Sequence, residues 1–240
     1  MGDTRRSRSR FFVAMAALLL VIVFAGFAPT FYVKIFFDTP ELPWYLHVHG
    51  AALTAWFGML LGQTLLVATR RTSVHRRLGG LASAVSIVLV VTTIVLILNV
   101  QASRVARGVT PQQPLEFVVL GDLAALTAFS ILLSVGIAFR SRPEVHKRAM
   151  LLAFIALVGP ALGRIGRFPA FAEVGFVVAV AMQLLLLLAV WVHDLVRDKR
   201  VHATTAWGSA AIVSISIAAT TLSGTEFGKA FVAAISLGGG

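Results

Sequence analysis

The chain has no cysteine. That excludes disulfides, thiolate metal sites, iron–sulfur clusters and a haem attached through a CxxCH motif. Charge is also scarce: 13% of the 240 residues are charged, and only ten are acidic against 21 lysines and arginines. Six histidines are too few for the histidine clusters of a membrane di-iron oxygenase. No lysine lies inside the last apolar run, which excludes a retinal Schiff base. No nucleotide-binding loop and no nucleophile–base signature is present.

What the chain has instead is apolar sequence. Hydrophobic residues make up 58% of it, and the mean hydropathy is +0.89. A globular surface must be largely polar, so a soluble domain of this length does not carry that composition. Several runs reach the ~20 residues needed to cross a bilayer core of about 30 Å. They are rich in Leu, Val and Ala without two-residue alternation, which points to helices rather than a β-barrel. The expected fold is an all-α polytopic bundle embedded in the lipid bilayer.

Seven spans are expected, at 11–33, 46–69, 78–100, 117–139, 148–166, 170–192 and 204–222, with a bend in the fifth at Pro160. They form a membrane domain over 11–222. A basic N-terminus (1–10) precedes it, and a loose or surface-lying amphipathic tail (223–240) follows. The net charge of +11 does not indicate nucleic acid, because the cations sit in short loops between apolar runs. Fifteen lysines and arginines fall on the side of the N-terminus and the 70–77, 140–148 and 193–203 loops, and six on the other. The positive-inside rule then predicts a bacterial inner-membrane protein with its N-terminus in the cytoplasm and its C-terminus outside. Span 1 is longer than a signal-peptide core and Pro29 is poorly placed for cleavage, so an uncleaved first helix is expected.

The chain also repeats itself. HGAALTAW, from His49, aligns with DLAALTAF, from Asp122, at an offset of 73, and RTSVHRRLGGLA (71–82) aligns with RPEVHKRAMLLA (142–153) at an offset of 71. Spans 2–3 and 4–5 therefore read as tandem helical hairpins, with a repeat core over 46–166.

The topology sorts polar residues into two layers. The outer layer holds His47, His49, Asp122, Arg164 and Glu173, with Asn99 and Gln101. Ionisable groups inside a span are costly and face a cavity or one another. His47 and His49 are about 200° apart on a helix, so His49 is expected to face the bundle and His47 the rim. His49 with Asp122, joined by Glu173, is a candidate metal, proton or cofactor site. An ion-paired cluster of Asp122 or Glu173 with Arg164 is the structural alternative. In the inner layer, His75 and His146 occupy equivalent repeat positions, each near the start of a helix capped by Thr72 or Ser73 and by Ser141. Two imidazoles from non-consecutive helices are one way to hold an iron porphyrin from both faces, with Arg76 and Arg148 among the cations that can receive its propionates. Basic interfacial residues touching lipid phosphates are the alternative. His193 and His202 read as solvated loop residues. Gln63 and Gln183 are candidates for hydrogen bonds between helices. Gly58/Gly62 and Gly159/Gly163 have the spacing of close helix contacts.

The pattern HVHG, Trp56, Gln63, VHRRLGG and PEVHKRAMLLA, spread over 47–153, resembles an uncharacterised bacterial family of predicted integral membrane proteins. More distantly the chain is similar to the diheme cytochrome b561 family, in which histidines at the starts of core helices hold one haem near each membrane face. That resemblance implies a b-type haem between His75 and His146, electron transfer, and a redox partner or respiratory complex. It implies an outer pair of His49 with the Asp122 position. A carboxylate there departs from the family pattern, so the outer site is lost, altered or turned to a proton or cation. The residues themselves leave open a haem-free protein that uses the outer His/Asp/Glu/Arg layer, as well as a homo-oligomer.

Overall fold

A computed structural model describes residues 2–37, 41–106, 113–171 and 173–236. Among these residues there is no strand, and the helices are α1 (Gly2–Phe27), α2 (Trp44–Ala68), α3 (Thr72–Ala106), α4 (Leu115–Ala138), α5 (Pro143–Leu157), α6 (Gly159–Ile165), α7 (Gly175–Asp198), α8 (Ala203–Ser223) and α9 (Glu226–Ile235). Six segments are long and apolar enough to cross a membrane: Arg10–Tyr32, Trp44–Ala68, Thr72–Val100, Leu115–Ala138, Gly175–Asp198 and Ala203–Ser223. α5 and α6 together make a seventh candidate, bent by 43° at their junction. Pro160 accounts for the bend: it lacks an N–H and its ring crowds the preceding turn. The chain is a multi-pass integral membrane protein. Arg107 and the side chains of Arg5, Arg6, Arg8, Gln101 and Arg104 lie outside what is described.

α5 lies at the centre. Its residues from Leu151 to Leu157 are all buried, enclosed by α4, α8, α1 and α7. Trp56 of α2 stacks on Phe154 of α5 at 4.9 Å and meets Phe129 of α4 edge-on at 5.6 Å. Trp56 and Phe129 are the residues aligned by the AALTAW/AALTAF match, so the two copies of that motif touch in the core. The α2–α3 hairpin is more peripheral, and much of α3, including Ile87, Val88, Val91 and Ile94, is exposed toward the lipid.

Of the two forms expected for the tail, residues 226–235 take the amphipathic one: they form α9, capped by the Thr225 hydroxyl, which accepts from the Gly228 N–H at 3.0 Å, and α9 packs on α4 and α8. Two expectations are corrected. Ser141 does not cap α5; its N-cap is Arg142, with no side-chain cap bond, because Pro143 takes the first helical position. The glycines of the two G-x-x-x-G spacings make no close helix contact. A Cβ added at Gly58, Gly62, Gly159 or Gly163 meets nothing within 4 Å. Close approach occurs instead at Gly26 against the Ala161 backbone and between Gly166 and Gly175.

Candidate functional site

The polar residues gather at the end of the bundle that carries the basic loops. α3 and α5 each bring a histidine there within their first two turns, and the rings of His75 and His146 face each other with centroids 6.3 Å apart and planes at 80°. His146 donates from Nδ1 to the Gly136 carbonyl of α4 at 2.7 Å, which leaves its Nε2 as the nitrogen with a free lone pair. The His75 Nδ1, by contrast, is buried without a partner. His146 is thus tied by one nitrogen to the carbonyl of the preceding helix and keeps the other available. Many metal-bound histidines are held in this way, an acceptor on the far nitrogen fixing the tautomer and ring orientation. Two imidazoles this close would be able to hold one metal-centred group between them if their free nitrogens turned toward each other.

Beside this pair lies an ionic network that sequence reasoning missed. Arg148 and Asp194 are both 0% exposed. Arg148 donates from Nε and Nη2 to Asp194, at 2.6 Å for the shortest bond, and from Nη2 to Asp198 at 2.8 Å. Its Nη1 donates to the Glu144 carboxylate at 2.6 Å and the Glu144 carbonyl at 3.1 Å. Asp194 also accepts from the Thr205 hydroxyl at 2.6 Å and the His202 N–H at 3.1 Å. Every N–H of the guanidinium is used, five being its full complement. Arg148 therefore cannot receive a porphyrin propionate, which corrects the expectation; Arg76 is exposed and keeps that capacity.

The network ties the start of α5 to the end of α7 and the start of α8. It also overturns the reading of two histidines as solvated. His193 is buried and stacks on Phe11 at 3.9 Å. His202 caps α8, its Nδ1 accepting from the Thr204 N–H at 3.1 Å. Burial, and next the charge of Arg148, hold the His202 pKa below its ordinary value.

At the opposite end the outer layer is more dispersed. His49 is half-buried and meets the Thr92 hydroxyl of α3 at 3.3 Å, with the charge of Arg164 acting on it. His47 is exposed beside Phe31. Arg164 stacks over Phe27 at 4.2 Å and donates to the Pro160 carbonyl at 3.1 Å. Asp122 is half-buried and engaged, and Glu173 is exposed. Asn99 bonds back to its own helix at Val95. Among the described residues no group of three or more His, Asp or Glu is placed to hold a metal ion. The metal site expected of His49 and Asp122 therefore has no ligand set among the described residues. Of the glutamines, Gln183 joins α7 to the Ile155 carbonyl at 2.8 Å, whereas the Gln63 Oε1 is buried without a partner.

Compared with protein-family models, with curated proteins and with solved structures, the chain finds no match.

Proposed function

We propose that this membrane protein holds a b-type haem between His75 and His146 and passes electrons at its basic-loop end. The observation that carries the reading is the apposed imidazole pair, 6.3 Å between centroids, with the His146 tautomer set by Gly136. The repeat supports it as well. At the offset of the alignment His75 corresponds to His146, so the two rings come from matching positions of the two hairpins. A Cβ at Gly79, one turn beyond His75, meets open space, which leaves room for the edge of a flat macrocycle. Arg76 is the nearby cation left for a propionate. Bound there, the haem supplies one-electron chemistry, and the protein supplies ligation, orientation and a low-dielectric wall. By the positive-inside rule that end faces the cytoplasm, where the reading requires a redox partner or respiratory complex.

The test is optical. The protein is expressed with haem precursor, purified in mild detergent, and its dithionite-reduced minus oxidised spectrum recorded. We expect a sharp α band at stoichiometric haem, lost in both His75→Ala and His146→Ala. A flat difference spectrum from a folded helical sample rejects the reading, as does full haem content in either variant.

A further inference from the structure

A furrow on the α2–α3 hairpin has neither histidine of the pair in its walls. It is a cavity of about 740 Å³, open to the side and walled by Gly58, Gly62 and Leu65 of α2 and by Leu78 and Leu81 of α3. Its size falls in the range of ligand pockets, roughly 300–1,000 Å³. The floor is flat because both glycines, one turn apart, lack a side chain where a Cβ meets nothing within 4 Å. The furrow runs on the side of α2 away from Trp56 and Phe57, which face the core. None of the described helices fills it.

The mouth has a definite charge. Arg71 lines it and is exposed, and Arg70, Arg76 and Arg77 of the same hairpin are exposed as well. No aspartate or glutamate occurs anywhere from residue 44 to 100, so the hairpin does not neutralise its own arginines. In the α4–α5 hairpin the equivalent arginine of the VH(R/K)R motif, Arg148, is fully neutralised by carboxylates. An apolar channel at membrane depth that ends in uncompensated guanidinium groups complements one kind of molecule. That molecule has a hydrocarbon chain and an anionic head. Gln63 stands in the channel wall, and its Oε1 is buried without a partner. With the amide turned over, the same space receives an NH2 donor suited to an acyl-ester carbonyl.

We propose that this furrow binds one anionic phospholipid of the surrounding membrane, its phosphate on Arg71 and one acyl chain along Gly58 and Gly62. A zwitterionic lipid fits the channel equally well but brings an ammonium to an already cationic mouth. The head therefore decides selectivity and the glycines decide retention. Basic pockets between membrane helices select anionic lipids on these grounds.

The experiment is native mass spectrometry of the full chain, delipidated in neutral detergent and titrated with dioleoyl phosphatidylglycerol or dioleoyl phosphatidylcholine. We expect one phosphatidylglycerol to be retained, favoured over phosphatidylcholine by roughly fivefold or more, the increment one arginine contributes at an anionic surface. Arg71→Gln should bring the two lipids to parity, while Arg77→Gln leaves most of the preference. Gly62→Leu, which projects into open space and should melt like the wild type, should abolish retention of both lipids. Equal retention of the two lipids by the wild type overturns the proposal, as does equal loss in Arg71→Gln and Arg77→Gln. Displacement of the lipid by millimolar inorganic phosphate also overturns it, because the headgroup alone would then be the ligand. So does a lipid-free dimer that Gly62→Leu dissociates, because the occupant would then be a second copy. None of these outcomes depends on haem, so the two proposals fail separately.

Discussion

The α2–α3 and α4–α5 hairpins share motifs, each packs its own two helices closely together, and they touch through matched residues, Trp56 with Phe129 and His75 with His146. Their surroundings differ. α5 is enclosed by α1, α4, α7 and α8, so Arg148 is buried and must be neutralised, and Glu144, Asp194 and Asp198 do so. The first hairpin has lipid on its outer side, so Arg77, the repeat counterpart of Arg148, is exposed. One motif thus yields a structural ion cluster in one copy and a free cationic rim in the other. The cause is what packs against each copy, not the motif itself. What the copies still share is an imidazole at the same motif position, and the two rings meet at this end of the bundle.

The sharpest way to break the comparison is to truncate the two equivalent arginines. Removing one partner of a buried ion pair leaves an uncompensated charge and costs about 3–5 kcal/mol. Arg148→Ala should therefore destabilise the protein by that amount in a denaturant or thermal titration in detergent. Arg77→Ala should fall within about 0.5 kcal/mol of wild type, as exposed substitutions do. Similar losses in both would mean that the first hairpin is covered in the membrane. Arg148→Met paired with Asp194→Leu should recover much of the loss, since apolar replacement of a whole buried pair is often neutral.

Glycines give the next contrast. A Cβ at Gly136 meets the Met150 Sδ at 2.8 Å, whereas at Gly62 it meets nothing within 4 Å. Overpacking costs about 1–3 kcal/mol, so Gly136→Ala should be less stable than Gly62→Ala by about that difference. The variant also presses on the α4–α5 contact that sets the Gly136 carbonyl beneath His146. The test is the pair of melting curves, and equal curves would mean that Met150 simply rotates away.

A smaller effect belongs to the cover of the second hairpin. In the folded protein His202 caps α8 through a neutral Nδ1, and burial holds its pKa below the ordinary 6.5. The unfolded chain takes the proton at the ordinary value, so this contribution to stability is complete above about pH 6.5 and is lost as the pH falls toward the depressed value. His202→Asn keeps a capping side chain and should flatten that part of the stability–pH curve between pH 7 and 5. An unchanged slope would assign the acid sensitivity to other groups.

How much of this was legible in the chain follows from the range of each interaction. The spans could be read because twenty apolar residues in a row are a local signal, and so could the kink at Pro160 and the approach of His75 to His146, through the repeat. Asp194 could not. Its partner lies 46 residues earlier, and in sequence it stands in a stretch of charges, WVHDLVRDKR, that reads as a solvated loop. What hid there was an apolar register: Leu186, Leu187, Val190, His193 and Asp194 are the buried residues of α7, spaced by three and four. That helical period, followed into the charged end, would have placed Asp194 on the buried stripe. The open glycines misled for the opposite reason, since G-x-x-x-G marks a face where a helix can come close and says nothing about whether one does.

The turns separate the hairpins least, and they supply the smallest prediction. Between α2 and α3 the chain reverses through Arg70, which has φ 63°, and the Arg71 N–H reaches back to the Leu66 carbonyl at 2.8 Å. That left-handed position with its six-residue closure is where glycine usually ends a helix. Between α4 and α5 no residue has positive φ; Arg142 is extended before Pro143, as the residue preceding a proline prefers. A side chain in the left-handed region costs about 1–2 kcal/mol, and glycine gives part of that back through its freer unfolded state. Arg70→Gly should therefore raise stability in neutral detergent by about 0.5–1 kcal/mol. Arg142→Gly should lower it, because glycine there only loosens a conformation that arginine already favours. If both variants lose stability, the Arg70 side chain contributes more to the turn than its backbone costs, and the rim of the first hairpin is less free than its exposure indicates.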